Sequence, residues 1–101
     1  RVAGAEANSY LVLSAILSGI HYGLINKISP TKFRIDNACT DPDPEMPKSI
    51  DKAIQLFENS KFCIDYYSKE YVTMFSDLKR KEIESFRTEI SDIEYKWYLN
   101  L

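Results

Sequence analysis

Few side chains in this sequence could do chemistry, and their spacing narrows the options quickly. His21, the one histidine, stands inside an uncharged apolar run. A metal site needs several His, Cys or carboxylate ligands at set intervals, and no second His or Cys joins it at that spacing; a lone helical histidine of this kind is a structural residue. Cys39 and Cys63 are the 2 cysteines, too few for the disulfide framework of a small secreted domain. One bridge between them stays open as an alternative, with two free thiols in a reducing cytosol the favoured reading. Cys63 near the start of a short helix could carry a lowered pKa, but no partner base lies near it and a packed thiol accounts for it better. Asp41, Asp43 and Glu45 alternate with prolines as a solvated loop does, and lack the Gly turn and following Glu of a calcium loop. Glu82 and Glu84 sit among Lys79, Arg80 and Lys81, where surface ion pairing explains them. The 3 glycines, Gly4, Gly19 and Gly23, leave no Gly-rich phosphate loop.

These residues must be held by helices. Asn8 is a good N-cap, and from Ser9 no charge or proline interrupts the chain until Lys27. Tyr10, Leu11, Leu13, Ile16, Leu17, Ile20 and Leu24 cover nearly every side of this helix, expected over about 8–27. A helix apolar all round belongs inside a large protein or in a membrane. A span needs about 20 mostly apolar residues, and Ser14, Ser18, His21 and Asn26 would be costly in hydrocarbon. Burial against other protein is therefore the expectation, with no membrane. Ala15, Gly19 and Gly23 form a small-residue ridge suited to close approach of another backbone. Lys27 suits the negative end of the helix dipole, and Pro30 is expected to stop the helix.

Residues 29–48 hold all 4 prolines, with Asp36, Asp41, Asp43 and Glu45, and read as a long loop over other parts of a parent protein. Helices resume over 49–100. Ile50, Ala53, Ile54 and Phe57 share a face. Ser60 caps a short helix through Phe62, Cys63, Tyr66 and Tyr67. Ser68 caps the longest stretch, with Tyr71, Phe75, Leu78, Ile83, Phe86 and Ile90 inside and Lys79, Arg80, Lys81 and Glu82 mostly outside. Ser91-Asp92-Ile93-Glu94 has capping-box form and opens a last helix through Tyr95, Trp97, Tyr98 and Leu99. The class is all-α, an irregular array of four to five helices. At 101 residues this is one domain at most, and 45% hydrophobic residues with 7 Tyr and 5 Phe exclude a disordered tail. Thirteen basic against 15 acidic residues, net charge -2, with no basic stripe, argue against nucleic acid as a partner. The chain opens on Arg1 with no leader pattern, which predicts that its natural beginning lies upstream.

The opening run Arg1-Val2-Ala3-Gly4-Ala5-Glu6-Ala7-Asn8-Ser9-Tyr10-Leu11 resembles a segment of the glutamine synthetase family. There an Arg is followed by a short Gly- or Pro-containing turn and then Ala-Asn-Pro-Tyr-Leu. The resemblance continues through Ala15-Ile16-Leu17 and Gly23-Leu24-Ile25-Asn26-Lys27. Tyr71, Leu78, Lys79, Glu82, Phe86, Glu94 and Tyr98-Leu99 support it at the far end. The turn wording is closer to the ligases that join glutamate to polyamines or other amines, the γ-glutamylpolyamine synthetase branch. Three departures stand out. Ser9 replaces the Pro usual at the first helical position, which loosens the preset φ. Glu6 replaces a more usual Asp or Ser, and Asp36 precedes Asn37-Ala38 where the family tends to have Gly.

The resemblance implies a C-terminal fragment, residues 1–101, of a larger α+β catalytic domain in an ATP-dependent glutamate–ammonia or glutamate–amine ligase. The parent would use Mg or Mn, form a γ-glutamyl phosphate, and assemble in the cytoplasm as a homo-oligomer with active sites between subunits. Arg1 matches the arginine of the family's Glu-x-Arg pair, which contacts glutamate near the transferred phosphoryl group; a guanidinium suits oxyanions by bidentate hydrogen bonding. The pair's metal-binding Glu would lie upstream of Arg1, so no metal ligand or complete catalytic set is expected in this chain. The fragment alone is expected to bind no ATP or metal and to be inactive. A non-catalytic helical interaction module and a small membrane-anchored protein are the rival readings.

Overall fold

A computed structural model describes residues 4–33, 35, 37, 40 and 43–99. It is all-α: five helices and no strand among the described residues, α1 (Ser9–Ile25), α2 (Ile50–Asn59), α3 (Lys61–Tyr67), α4 (Lys69–Thr88) and α5 (Asp92–Tyr98). The chain divides into two compact units, Arg1–Pro42 and Asp43–Leu101.

In the first unit, α1 buries none of its 17 residues. Its apolar side chains are exposed on several sides, among them Leu13, Ile16, Leu17 and Ile20. A Cβ built on Gly19 or Gly23 meets nothing within 4 Å, so no backbone lies against the small-residue ridge within this unit. The helix also ends earlier than Pro30. The Ile28 amide donates to the Gly23 carbonyl at 3.0 Å and the Lys27 amide to the Leu24 carbonyl at 3.3 Å. With Lys27 at φ 50, this is the paired closure that normally places Gly in the left-handed position. Lys27 thus lies beyond the last turn rather than in it, and the backbone reversal, not the proline, terminates α1.

In the second unit, serines make the joints. Ser49 Oγ accepts from the Lys52 amide at 3.3 Å and starts α2. Ser60 closes α2 and opens α3, its hydroxyl accepting from the Cys63 amide at 3.2 Å. Ser68 does the same between α3 and α4, accepting from the Tyr71 amide at 3.3 Å. Its φ of 70 and ψ of 155 lie in a region that side chains other than hydrogen rarely adopt. The Glu70 carboxyl is held below its usual value by its own backbone amide and then by the Ser68 hydroxyl. Ser91 and Glu94 form the reciprocal capping box, with the Ser91 amide donating to Glu94 Oε2 at 2.7 Å and the Glu94 amide to Ser91 Oγ at 3.3 Å. These bonds hold the Glu94 carboxyl low.

Packing joins α2 and α3 to α4. Ile54, Val72 and Ser76 are buried. Rings link the helices: Phe57 meets Phe75 edge-on at 5.7 Å, Tyr71 stacks on Phe75 at 5.9 Å, and Tyr67 lies 5.9 Å from Tyr71. On α4 Val72 and Ser76 are buried, and Tyr71, Phe75 and Ile83 are half-buried as expected, so the expected face is covered only in part. Lys79, expected outside, is partly covered and sets its ammonium 5.5 Å from the Phe75 centroid. Its methylene stem can cover apolar surface while the charge stays wet. Leu78 and Ile90, expected inside, are exposed. Phe86 is 82% exposed for a different reason. It shares a groove with Ile50 and Ile83, and α2 begins at Ile50, so no further turn of α2 covers the ring.

Candidate active-site segment

Residues 4–11 form a turn that feeds directly into α1. The Ala7 amide donates to the Gly4 carbonyl at 3.3 Å, closing the turn. Asn8 follows with φ -59 and ψ 114, and its Oδ1 accepts from the Tyr10 amide at 3.0 Å and the Leu11 amide at 3.3 Å. An α-helix leaves its first amides without intrahelical partners, and here one side-chain oxygen takes two of them. Those two donors are therefore not free to hold an anion, although helix N-termini commonly do so. An oxyanion substrate near this segment would need a cationic side chain. Gly4 has no positive φ, and a Cβ there meets nothing within 4 Å, so this unit does not itself demand glycine. Gly4, Ala5, Ala7, Ser9, Val12 and Ile16 line a shallow groove beside the turn. Ser9 takes the first helical position and α1 starts there without the proline.

The other candidates are not brought together. Arg1, the arginine of the segment, lies outside the described residues, as do Cys39, Asp36 and Asp41. His21 is exposed on α1. Cys63 is a half-buried free thiol near the start of α3, in the other unit. Asp43 shapes a local turn, its Oδ1 accepting from the Glu45 amide at 2.9 Å. Glu82 pairs with Lys79 at 2.6 Å. Glu84, expected to pair likewise, has no ion pair among the described residues and instead lines a groove with Arg80, Ile83 and Arg87. No group of three His, Cys, Asp or Glu among the described residues could hold a metal ion. No helix among them is long and apolar enough to cross a membrane. The ion pairs that tie the second unit together, Arg80 with Glu58 and Arg87 with Asp51, were not foreseen. Their spacing on α2 and α4 is the signal that could have revealed them.

Comparison with known proteins bears on this segment and on the whole chain. The chain is 30% identical over 106 residues to a glutamate–isopropylamine ligase of a Pseudomonas species, covering 100% of this chain and 23% of that protein. It is 29% identical over 99 residues to the γ-glutamylputrescine synthetase of Escherichia coli K12, covering 98% of this chain and 21% of that protein. It is 26% identical over 106 residues to type-1 glutamine synthetase 2 of Dictyostelium discoideum, covering 100% of this chain and 20% of that protein. The chain thus spans about a fifth of the length of the curated relatives it matches. No solved structure gives a significant match. The description "Glutamine synthetase, catalytic domain" fits residues 1–98, and with the turn, cap and apolar helix where the resemblance puts them, the chain belongs to the glutamine synthetase family.

Proposed function

We propose that this chain is the C-terminal helical part of the catalytic domain of an ATP-dependent ligase that joins glutamate to ammonia or to an amine. The match of residues 1–98 to the catalytic domain carries the reading. An interaction module with no catalytic history gives no account of that match. The relatives named as isopropylamine and putrescine ligases favour an amine acceptor.

In this reading ATP phosphorylates the glutamate γ-carboxylate, and the acceptor nitrogen displaces phosphate from the acyl phosphate. In this reading metal and nucleotide would be held by the rest of the protein. This chain's own contribution is Arg1, whose guanidinium would bind glutamate oxygens near the transferred phosphoryl group. The Gly4–Ala7 turn and the Asn8 cap would anchor the backbone that carries it. The exposed α1 faces would be covered by the remainder of the catalytic domain. The working enzyme would be a cytoplasmic homo-oligomer.

The test is ATP-dependent formation of γ-glutamyl amides by the full-length protein, assayed with glutamate and ammonia, isopropylamine or putrescine in turn. Product with at least one acceptor is expected, together with none from the 101-residue chain alone. Absence of glutamate-dependent ADP release with every acceptor would sink the reading.

A further inference from the structure

The break between α4 and α5 has neither proline nor glycine behind it. None stands between Ser49 and Leu101, although a sharp helix break commonly centres on one. Nor does burial hold α5 in place, since the helix buries none of its residues. What marks the break is the Ser91–Glu94 capping box, with Glu89 extended at ψ 130 shortly before it.

The apolar spacing runs straight through this break. Ile83, Phe86, Ile90, Ile93 and Trp97 fall 3, 4, 3 and 4 residues apart. On a continuous helix, at about 100° per residue, they would share an arc of about 80°. That is the side which carries the buried Val72 and Ser76. In the broken form Phe86, Ile90, Ile93 and Trp97 are all exposed. The box and a continuous helix also compete for the same donors. The Ser91 amide meets Glu94 Oε2 and the Glu94 amide meets Ser91 Oγ. In a continuous helix the two amides would instead donate to the Arg87 and Ile90 carbonyls, four residues back.

We propose that residues 89–91 are a latched hinge. The capping box is the latch, and its release lets α4 and α5 run on as one helix over residues 69–98. The continuous form sets Ile90, Ile93 and Trp97 in line with Ile83 and Phe86, past the start of α2 at Ile50. The hinge belongs to the second unit and does not depend on the ligase reading.

Hydrogen exchange of the full-length protein, read by mass spectrometry over residues 88–95, tests the hinge. Losing a cap ordinarily frays a helix and quickens exchange, and the hinge predicts the opposite sign. Ser91→Ala combined with Glu94→Ala removes the latch and should slow exchange of the 89–92 amides about tenfold. Adding Ile90→Pro should abolish that protection, because proline breaks a helix interior. The broken form tolerates this proline, since Glu89 before it is already extended. Exchange that quickens or stays the same in the double variant would overturn the proposal. So would protection that survives Ile90→Pro.

Discussion

Glu58 on α2 and Arg80 on α4 are joined by a two-bond fork, each terminal guanidinium nitrogen 2.5 Å from one carboxylate oxygen. Two turns away on both helices, Asp51 and Arg87 repeat the pairing at 2.8 Å. The two pairs run in opposite chain directions, so α2 and α4 are antiparallel and their offset is set at both ends. The Arg80 guanidinium, first by hydrogen bonding and then by its charge, holds the Glu58 carboxyl below its usual value; the nearby Ser76 hydroxyl adds a smaller lowering.

Arg80→Met should lower the melting temperature at neutral pH. Glu58 has a folded pKa depressed below the ordinary 4.5, so its contribution is fully present above that value and is lost as pH falls through the lower, folded one. The gap between wild type and Arg80→Met should therefore close in acid. Melting curves from pH 7 down to pH 3 check this; a gap that widens in acid would contradict it. Salt should narrow the gap too, since the pair is partly exposed.

Ser76 is fully buried, and its hydroxyl makes no hydrogen bond of full geometry even though it lies close enough to influence Glu58. Leaving such a group unpaired costs about 1–3 kcal/mol. Ser76→Ala is expected to stabilise the second unit by about 1 kcal/mol, read from urea unfolding. A loss of that size instead would mean the hydroxyl serves Glu58 in solution.

Ser68 stands at φ 70 while its hydroxyl caps α4. Glycine removes the strain of about 1–3 kcal/mol and keeps most of the capping preference. Ser68→Gly should therefore stabilise, whereas Ser68→Ala keeps the strain, loses the cap and should destabilise by about 1 kcal/mol. Opposite signs in thermal unfolding are the readout, and equal effects would count against the strain.

The isolated 101-residue chain should self-associate, because α1 exposes Leu13, Ile16, Leu17 and Ile20 together. Sedimentation should show species growing with concentration, and Ile16→Lys combined with Ile20→Lys should reduce them to monomer. A strictly monomeric profile at high concentration would refute this.

The caps were the most legible feature of the chain. Asn8, Ser60, Ser68 and Ser91 each stand where a side-chain oxygen meets free amides, because capping is a local interaction. The facing of α4 was not local. Lys79 turned inward over Phe75 and Leu78 outward because α2 and α3 together, rather than hydropathy along α4, choose the covered side. The extent of α1 was close to the expected 8–27, but what stops it was not legible. A left-handed lysine carries no compositional mark, whereas Pro30 does. Of the active-site segment, the turn and cap could be read from residue types. The meaning of Arg1 came only through resemblance, since one arginine has no chemistry without the groups it faces.

The serine joints carry a last implication, for chain length. Between Ile50 and Thr88 three helices succeed one another through single residues, Ser60 and Ser68. An inserted residue at either joint has no loop in which to be absorbed. It would turn the following helix by about 100° and draw Arg80 and Arg87 away from Glu58 and Asp51 at once. Insertions and deletions should be refused between the two joints. From Ser49 to Thr88 the second unit behaves as a ruler of fixed length.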